Sequence, residues 1–130
     1  MPYQEIPSSL NRLSQDVIGL AIKVHKNLGP GLLESSYREC LFYEIAKAGY
    51  FVEKEKALPL FYETIKLDAG YRIDIHVEKE MIIEIKAVES LTDVHTAQLL
   101  TYMKLSENRL GLLINFNVTL LKNGIKRLVL

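Results

Sequence analysis

The chain has 130 residues, of which 48% are hydrophobic, and its sixteen basic and sixteen acidic residues cancel. Neutrality argues against a strongly basic protein that coats nucleic acid and against a charged disordered tail. A single cysteine, Cys40, excludes an internal disulfide and a multi-cysteine zinc site, and no apolar run reaches the roughly 18 residues that cross a bilayer. We therefore expect a soluble, cytoplasmic protein with one domain over residues 1–130, of which 1–11 form an N-terminal extension.

Two helices are predicted at the start of the chain. Apolar residues recur every three or four positions over 12–28, and Gly29-Pro30-Gly31 ends this helix because glycine permits the turn and proline cannot continue it. A second amphipathic helix follows this loop and ends near Gly49. The apolar residues on its predicted inner face are Leu33, Tyr37, Leu41, Ile45 and Ala48.

The hydrophobic period then changes from 3.6 to 2, which predicts strands at 59–65, 71–77 and 81–88. Helical spacing returns over 91–106. Two last strands are predicted at 111–116 and 125–130, separated by a polar turn. The order ααβββαββ indicates one α/β domain. The last strand lies either at an exposed edge, where it could pair with a second copy, or at the centre of the sheet.

The second and third predicted strands form a hairpin that brings two acids together. If its turn centres on Lys79, Asp74 lies opposite Glu84 and Arg72 lies opposite Lys86. Like charges in direct opposition destabilise a strand pair, so the arrangement needs a compensating cation. Lys86, Arg72 or a bound metal ion could supply that charge.

Two interpretations of this cluster remain open at this point. The strand at 81–88 is otherwise apolar and is typical of a strand buried on both faces, so its charged side chains must be paired or coordinated. One interpretation is a structural network of salt bridges. The other is a metal site. The charge distribution fits this interpretation, because an acidic middle segment, with ten acidic and six basic residues over 53–102, precedes a basic end, with five basic residues and one acidic residue over 103–130.

Further motifs extend over most of the chain. They are Gly31, Glu34 and Tyr37 at Gly-x-x-Glu-x-x-Tyr spacing, Asp74 followed by Glu84-Ile85-Lys86, and the segments 71–74, 95–102, 111–116 and Lys126-Arg127. Together they resemble the GxxExxY family of the PD-(D/E)XK nuclease-like superfamily over roughly residues 14–130. Ile73 stands where the superfamily pattern has proline, a departure that the superfamily tolerates. The resemblance implies a restriction-endonuclease-like fold, in which helices flank a mixed sheet.

The same resemblance implies a metal-dependent nuclease. Asp74 and Glu84 would bind Mg²⁺ or Mn²⁺ through carboxylate oxygens, which these hard ions prefer, and the backbone carbonyl of Ile85 would add a ligand. Glu34 would reach the metal directly or through water. Its alternative role is an acid that complements the dipole at a helix N-terminus.

Other side chains would complete the site. Lys86 would position the attacking water or stabilise the developing charge, and its alternative role is to balance the two acids. Gln98 would hydrogen-bond a phosphate or orient Lys86, while Tyr102 on the same helix face packs in the core. The residues expected to support the site from nearby are His25, His95, Arg72 and, with less reason, His76.

The expected partner is a nucleic acid, with DNA favoured over RNA, and no membrane. Neutral charge and short length argue against tight solitary binding of nucleic acid, which favours a homodimer or a partner. A catalytically weak nucleic-acid-binding or accessory domain with the same fold is the alternative function. A third interpretation is that the acids and lysine form an ion-pair network that only stabilises the fold.

Overall fold

In a computed structural model, which describes residues 6–130, helices cover both faces of a five-stranded mixed sheet. The helices are α1 (Ser8–Leu28), α2 (Glu34–Lys47) and α3 (Asp93–Ser106). The strands are β1 (Val52–Ala57), β2 (Leu60–Tyr62), β3 (Ile65–Leu67), β4 (Arg72–Val77), β5 (Met81–Lys86), β6 (Leu110–Asn115) and β7 (Ile125–Val129), the last preceded by a 3-10 turn at Leu121–Gly124. The predicted fold class is confirmed.

The strand order in the main sheet is β1-β4-β5-β6-β7. Strands β5 and β6 are parallel and are connected through α3, whereas all the other neighbours are antiparallel. The central position of β5 explains its apolar sequence, because both of its faces are covered. Strand β7 lies at an edge, which decides between the two positions predicted for it.

Two apolar cores lie on opposite faces of this sheet. Helices α1 and α2 pack on one face, where the three-and-four spacing of Leu13, Val17, Ala21 and Val24 points inward. Helix α3 packs on the other face, through a smaller cluster that includes Leu99 and Met103. Odd-numbered residues of β5 face the first core and even-numbered ones the second, since side chains alternate along a strand.

The secondary structure differs from the prediction in three places. Strand β1 was not predicted, because its central residues 53–56 are all charged and it lies at the edge of the sheet, where charged side chains are common. The predicted strand at 59–65 is instead a hairpin, in which β2 and β3 pair around a turn at residues 63–64. Helix α1 begins at Ser8, so part of the predicted extension is helical, while residues 1–5 of that extension lie outside the described residues.

No helix in the described part of the chain is long and apolar enough to cross a membrane.

Candidate active site

Strands β4 and β5 separate at the end of the sheet that carries the predicted acids. Their ladder has the predicted register, but it stops at the pair Ile75–Ile83. We call the point just beyond this pair the fork. From there on, within the described chain, β4 pairs only with β1 and β5 pairs only with β6. Arg72 pairs with Ala57 of β1, so the predicted opposition of Arg72 and Lys86 is not formed.

At the fork, hydrogen bonds that the carboxylates of Asp74 and Glu84 accept from backbone N–H groups connect the two strands in place of the ladder. Asp74 Oδ2 accepts the backbone N–H of Ile85 at 2.8 Å, and Glu84 Oε1 accepts the backbone N–H of Asp74 at 3.3 Å. Glu84 is only 5% exposed, and Asp74 is partly buried. The two acids therefore meet, as the strand periodicity and the register predicted.

Burial makes both acids hard to ionise. It raises the pKa of Glu84 to about 8, and the nearby charge of Asp74 raises that pKa as well. Burial also raises the pKa of Asp74, against the opposing effect of the Ile85 N–H group. Among residues 6–130, neither carboxylate forms an ion pair with Lys86 or Arg72, so the predicted salt-bridge network is not present. A cation at the fork would relieve this electrostatic penalty.

Lys86 ends strand β5 two residues after Glu84, on the same face. Its backbone is fixed by β6, where Lys86 pairs with Asn115 and its carbonyl accepts the Phe116 N–H at 2.9 Å. Its positive charge lowers the pKa of both Asp74 and Glu84 against the larger effect of burial. Lys86 is thus a partly buried residue whose charge acts on both acids without an ion pair to either.

Asn115 is a residue of this region that the sequence analysis missed. It is buried, and its side-chain amide exchanges two hydrogen bonds with the backbone of Val88, at 3.1 Å to the N–H and 2.9 Å to the carbonyl. These bonds hold the segment that follows Lys86. The available signal was an amide residue inside a strand that is otherwise apolar.

Glu34 is the first residue of α2, and its carboxylate accepts the Ala87 N–H at 3.2 Å. The glycine-proline-glycine loop before it is held by Tyr37, whose hydroxyl donates to the Gly29 carbonyl and whose ring stacks on Phe116 at 4.5 Å. The start of α2 is therefore fixed next to the end of β5. Tyr37 is the packing anchor that the sequence predicted.

Gln98 contacts Tyr102, which lies one turn further along α3. The Gln98 Nε2 atom donates to the Tyr102 hydroxyl at 3.4 Å. Burial raises the pKa of Tyr102, and the charges of Glu84 and Asp74 raise it further. Gln98 itself is exposed, and its role at the site stays a prediction.

A family model described as the PD-(D/E)XK nuclease superfamily matches residues 11–128. The chain belongs to this superfamily. No curated protein and no solved structure matches the chain significantly. The finer resemblance to the GxxExxY family stays a prediction.

PD-(D/E)XK nucleases generally use divalent metals such as Mg²⁺, and the donor set at the fork fits such an ion. Asp74 and Glu84 present hard oxygen donors side by side, and Mg²⁺ commonly takes one or two carboxylates together with waters and substrate phosphates. In the stretch 6–130, no three His, Cys, Asp or Glu side chains converge as a metal cluster. Glu34 therefore adds no third carboxylate to the pair in this arrangement.

Each histidine of this PD-(D/E)XK chain makes a structural hydrogen bond. His95 caps the start of α3, and His25 Nε2 lies 2.7 Å from the Val118 carbonyl oxygen. His76 is buried, contacts Asn108 Oδ1 at 3.0 Å through Nε2, and has a pKa lowered by burial. Supporting roles for His25 and His95 at the site stay predictions.

Arg38 is the second residue that the sequence analysis missed. It lies four positions after Glu34 on α2, and its positive charge lowers the pKa of Asp74. The helical spacing from Glu34 was the only available signal. Its electrostatic effect on β4 arises from the tertiary fold, in which α2 packs near β4.

Proposed function

We propose that this chain is a divalent-metal-dependent nuclease that hydrolyses phosphodiester bonds, in DNA rather than RNA. Asp74, Glu84 and the Ile85 carbonyl are its proposed ligands for Mg²⁺ or Mn²⁺. The observation that supports this most is the pair of buried, adjacent carboxylates at the fork, which have no ion pair with Lys86 or Arg72 in the described chain. Carboxylates in such a site are costly unless a cation joins them.

When bound, the divalent ion supplies Lewis-acid polarisation of the phosphodiester and a lowered pKa for a coordinated water. Asp74 and Glu84 would hold the ion, and Glu84 would have to be ionised to do so, against the effect of burial on its pKa. Lys86 has a different task. Its ammonium group donates hydrogen bonds to the attacking water or to the phosphate oxygen where negative charge develops.

Two further residues have proposed roles at the edge of the site. Glu34 holds the end of β5 through Ala87 and would reach the ion through a water. The Gln98 Nε2 atom, which donates to the Tyr102 hydroxyl at 3.4 Å, would donate instead to a phosphate oxygen of the substrate. Both side chains are exposed, so substrate can reach them without a change of fold.

The test is a cleavage panel with Lys86→Ala. Wild type and variant are incubated with supercoiled plasmid, linear duplex, a four-way junction, single-stranded DNA and RNA, in Mg²⁺ or Mn²⁺ and with chelator. We expect wild-type cleavage of at least one DNA substrate that chelator abolishes, and a loss of roughly 10²–10³-fold in Lys86→Ala. The matched control is Lys79→Ala, because Lys79 lies in the exposed turn at the other end of the same hairpin.

Cleavage that persists in chelator, or that Lys86→Ala leaves unchanged, contradicts the proposal. Salt-sensitive nucleic-acid binding without any cleavage supports the accessory-domain alternative instead. Circular dichroism of each variant shows whether a loss of activity reflects a loss of folding.

A further inference from the structure

Arg38 lies at the margin of the candidate active site. Together with Glu34 and Ala87 it lines an open cavity of about 490 Å³. Its side chain is 18% exposed, so most of it is withdrawn from water. No role for Arg38 follows from the sequence motifs described above.

The contacts of the guanidinium group are long and incomplete. Its Nη2 lies 3.4 Å from Glu55 Oε1, and its Nε lies 3.5 Å from Glu39 Oε2. Among residues 6–130, the buried Nε atom has no hydrogen-bond partner, and its contact with Glu39 is only a long ion pair. Glu39 is engaged elsewhere, because it accepts a hydrogen bond from Lys54, which lowers the Glu39 pKa. Arg38 is thus held by long ion-pair contacts to α2 and β1.

Glu55 of β1, which forms an ion pair with Arg38, lies level with Asp74 along the sheet. The register of β1 and β4 places Glu55 across from Asp74. Glu55 also has a φ of 49°, a left-handed conformation that is rare inside a strand and costs energy for a residue with a side chain. This local distortion of β1 lies directly beside the fork, where the carboxylate of Glu55 contacts Arg38.

We propose that Arg38 binds a phosphate of the nucleic-acid substrate adjacent to the bond that is cleaved. The inference rests on the proposed nuclease function. A half-withdrawn guanidinium binds phosphate well, because it is weakly hydrated and presents planar donors that fit two oxygens. A phosphate oxygen in the cavity would accept hydrogen bonds from the guanidinium nitrogens other than the buried Nε, and it would replace the long Nη2 contact with Glu55.

The experiment measures binding of a fluorescein-labelled DNA 20-mer, single-stranded and duplex, by anisotropy in Ca²⁺ over a range of salt. We expect Arg38→Gln to weaken binding roughly 10- to 100-fold and to reduce the salt slope by roughly 0.7 to 0.9, as for one phosphate contact. Arg38→Lys should recover part of the affinity. The control Arg12→Gln should bind like wild type, because Arg12 lines a cavity with Glu78 and Glu80 at the opposite end of the hairpin.

Mn²⁺ titration and thermal unfolding of the same variants separate substrate binding from a structural role. For Arg38→Gln we expect Mn²⁺ affinity at least as high as in wild type, since a cation beside Asp74 has been removed. Unchanged DNA affinity in Arg38→Gln overturns the inference. So does a joint loss of DNA binding, Mn²⁺ binding and folding, which would make Arg38 structural. A wild type that binds Mn²⁺ but no DNA contradicts the proposed function itself, together with this inference.

Discussion

Glu84 is the residue whose chemistry depends most on the fold. Its pKa rises from 4.5 to about 8 because it is buried beside Asp74. A carboxyl with a raised pKa binds its proton more tightly in the folded state. The contribution of the protonated Glu84 side chain to the free energy of unfolding is therefore complete below the pKa of the unfolded state. It is lost as the pH rises through the pKa of the folded state.

The metal-free protein should accordingly lose stability between about pH 4.5 and 8. Glu84→Gln retains a carbonyl acceptor for the Asp74 N–H but cannot ionise. We expect it to be more stable than wild type at pH 8.5, by roughly 2 to 4 kcal/mol, and equal to it at about pH 4 and below, under the unfolded pKa. Urea unfolding in chelator at several pH values measures this difference, with Glu80→Gln in the exposed turn as control. Parallel pH profiles for wild type and Glu84→Gln would contradict the account.

The residues of the site differ in how far the sequence could predict them. Asp74 and Glu84 could be predicted to meet, because strand periodicity and a short turn fix their register. Arg38 could not, because its approach to Asp74 depends on how α2 lies against β1. Asn115 could not either, since its partner Val88 lies 27 positions away in the chain.

At the scale of elements, the end of β6 depends on a glycine in the turn that follows it. A Cβ at Gly124 would lie far inside van der Waals contact with the backbone oxygen of Asn115, which pairs with Lys86. Gly124→Ala must therefore displace the strand that supports Lys86. We expect a loss of about 1–3 kcal/mol in unfolding free energy, because backbone cannot yield as a flexible side chain does.

Gly19→Ala is the matched control for this substitution. Gly19 lies in the interior of α1, and an added Cβ there meets no atom within 4 Å. Since alanine favours a helix, we expect a gain of about 0.5–1 kcal/mol. Chemical denaturation compares the two variants with wild type. A Gly124→Ala variant as stable as wild type would show that the turn tolerates a side chain and that β6 is not constrained there.

The predicted elements were most accurate where the chain is buried. The apolar pattern located β5, β6 and the three helices to within a few residues, because core-facing periodicity is a direct consequence of packing. It failed over 52–67, where β1 is charged and the β2–β3 hairpin has every residue from 61 to 67 exposed. A segment with no buried face carries little periodic signal.

At the scale of the whole molecule, three elements bring their polar residues to one end of the sheet. Helix α2 contributes Glu34, β4 contributes Asp74, and β5 contributes Glu84 and Lys86. Gln98 on α3 is the proposed fourth contribution. The β4–β5 turn lies at the opposite end. This arrangement fits the superfamily assigned by the match over residues 11–128. The position of β7 at the edge of the sheet is consistent with the predicted homodimer, which stays a prediction.

The most direct test of the central claim is the rate of DNA cleavage in Mg²⁺ by wild type and Asp74→Asn. Asn keeps the size of Asp74 and an oxygen for the Ile85 N–H, but it removes the charge that would hold the ion. The account predicts metal-dependent cleavage by wild type and none measurable by Asp74→Asn. The control Asp68→Asn, in an exposed loop, should retain the wild-type rate. Equal cleavage by wild type and Asp74→Asn would contradict the assignment of the fork as the active site.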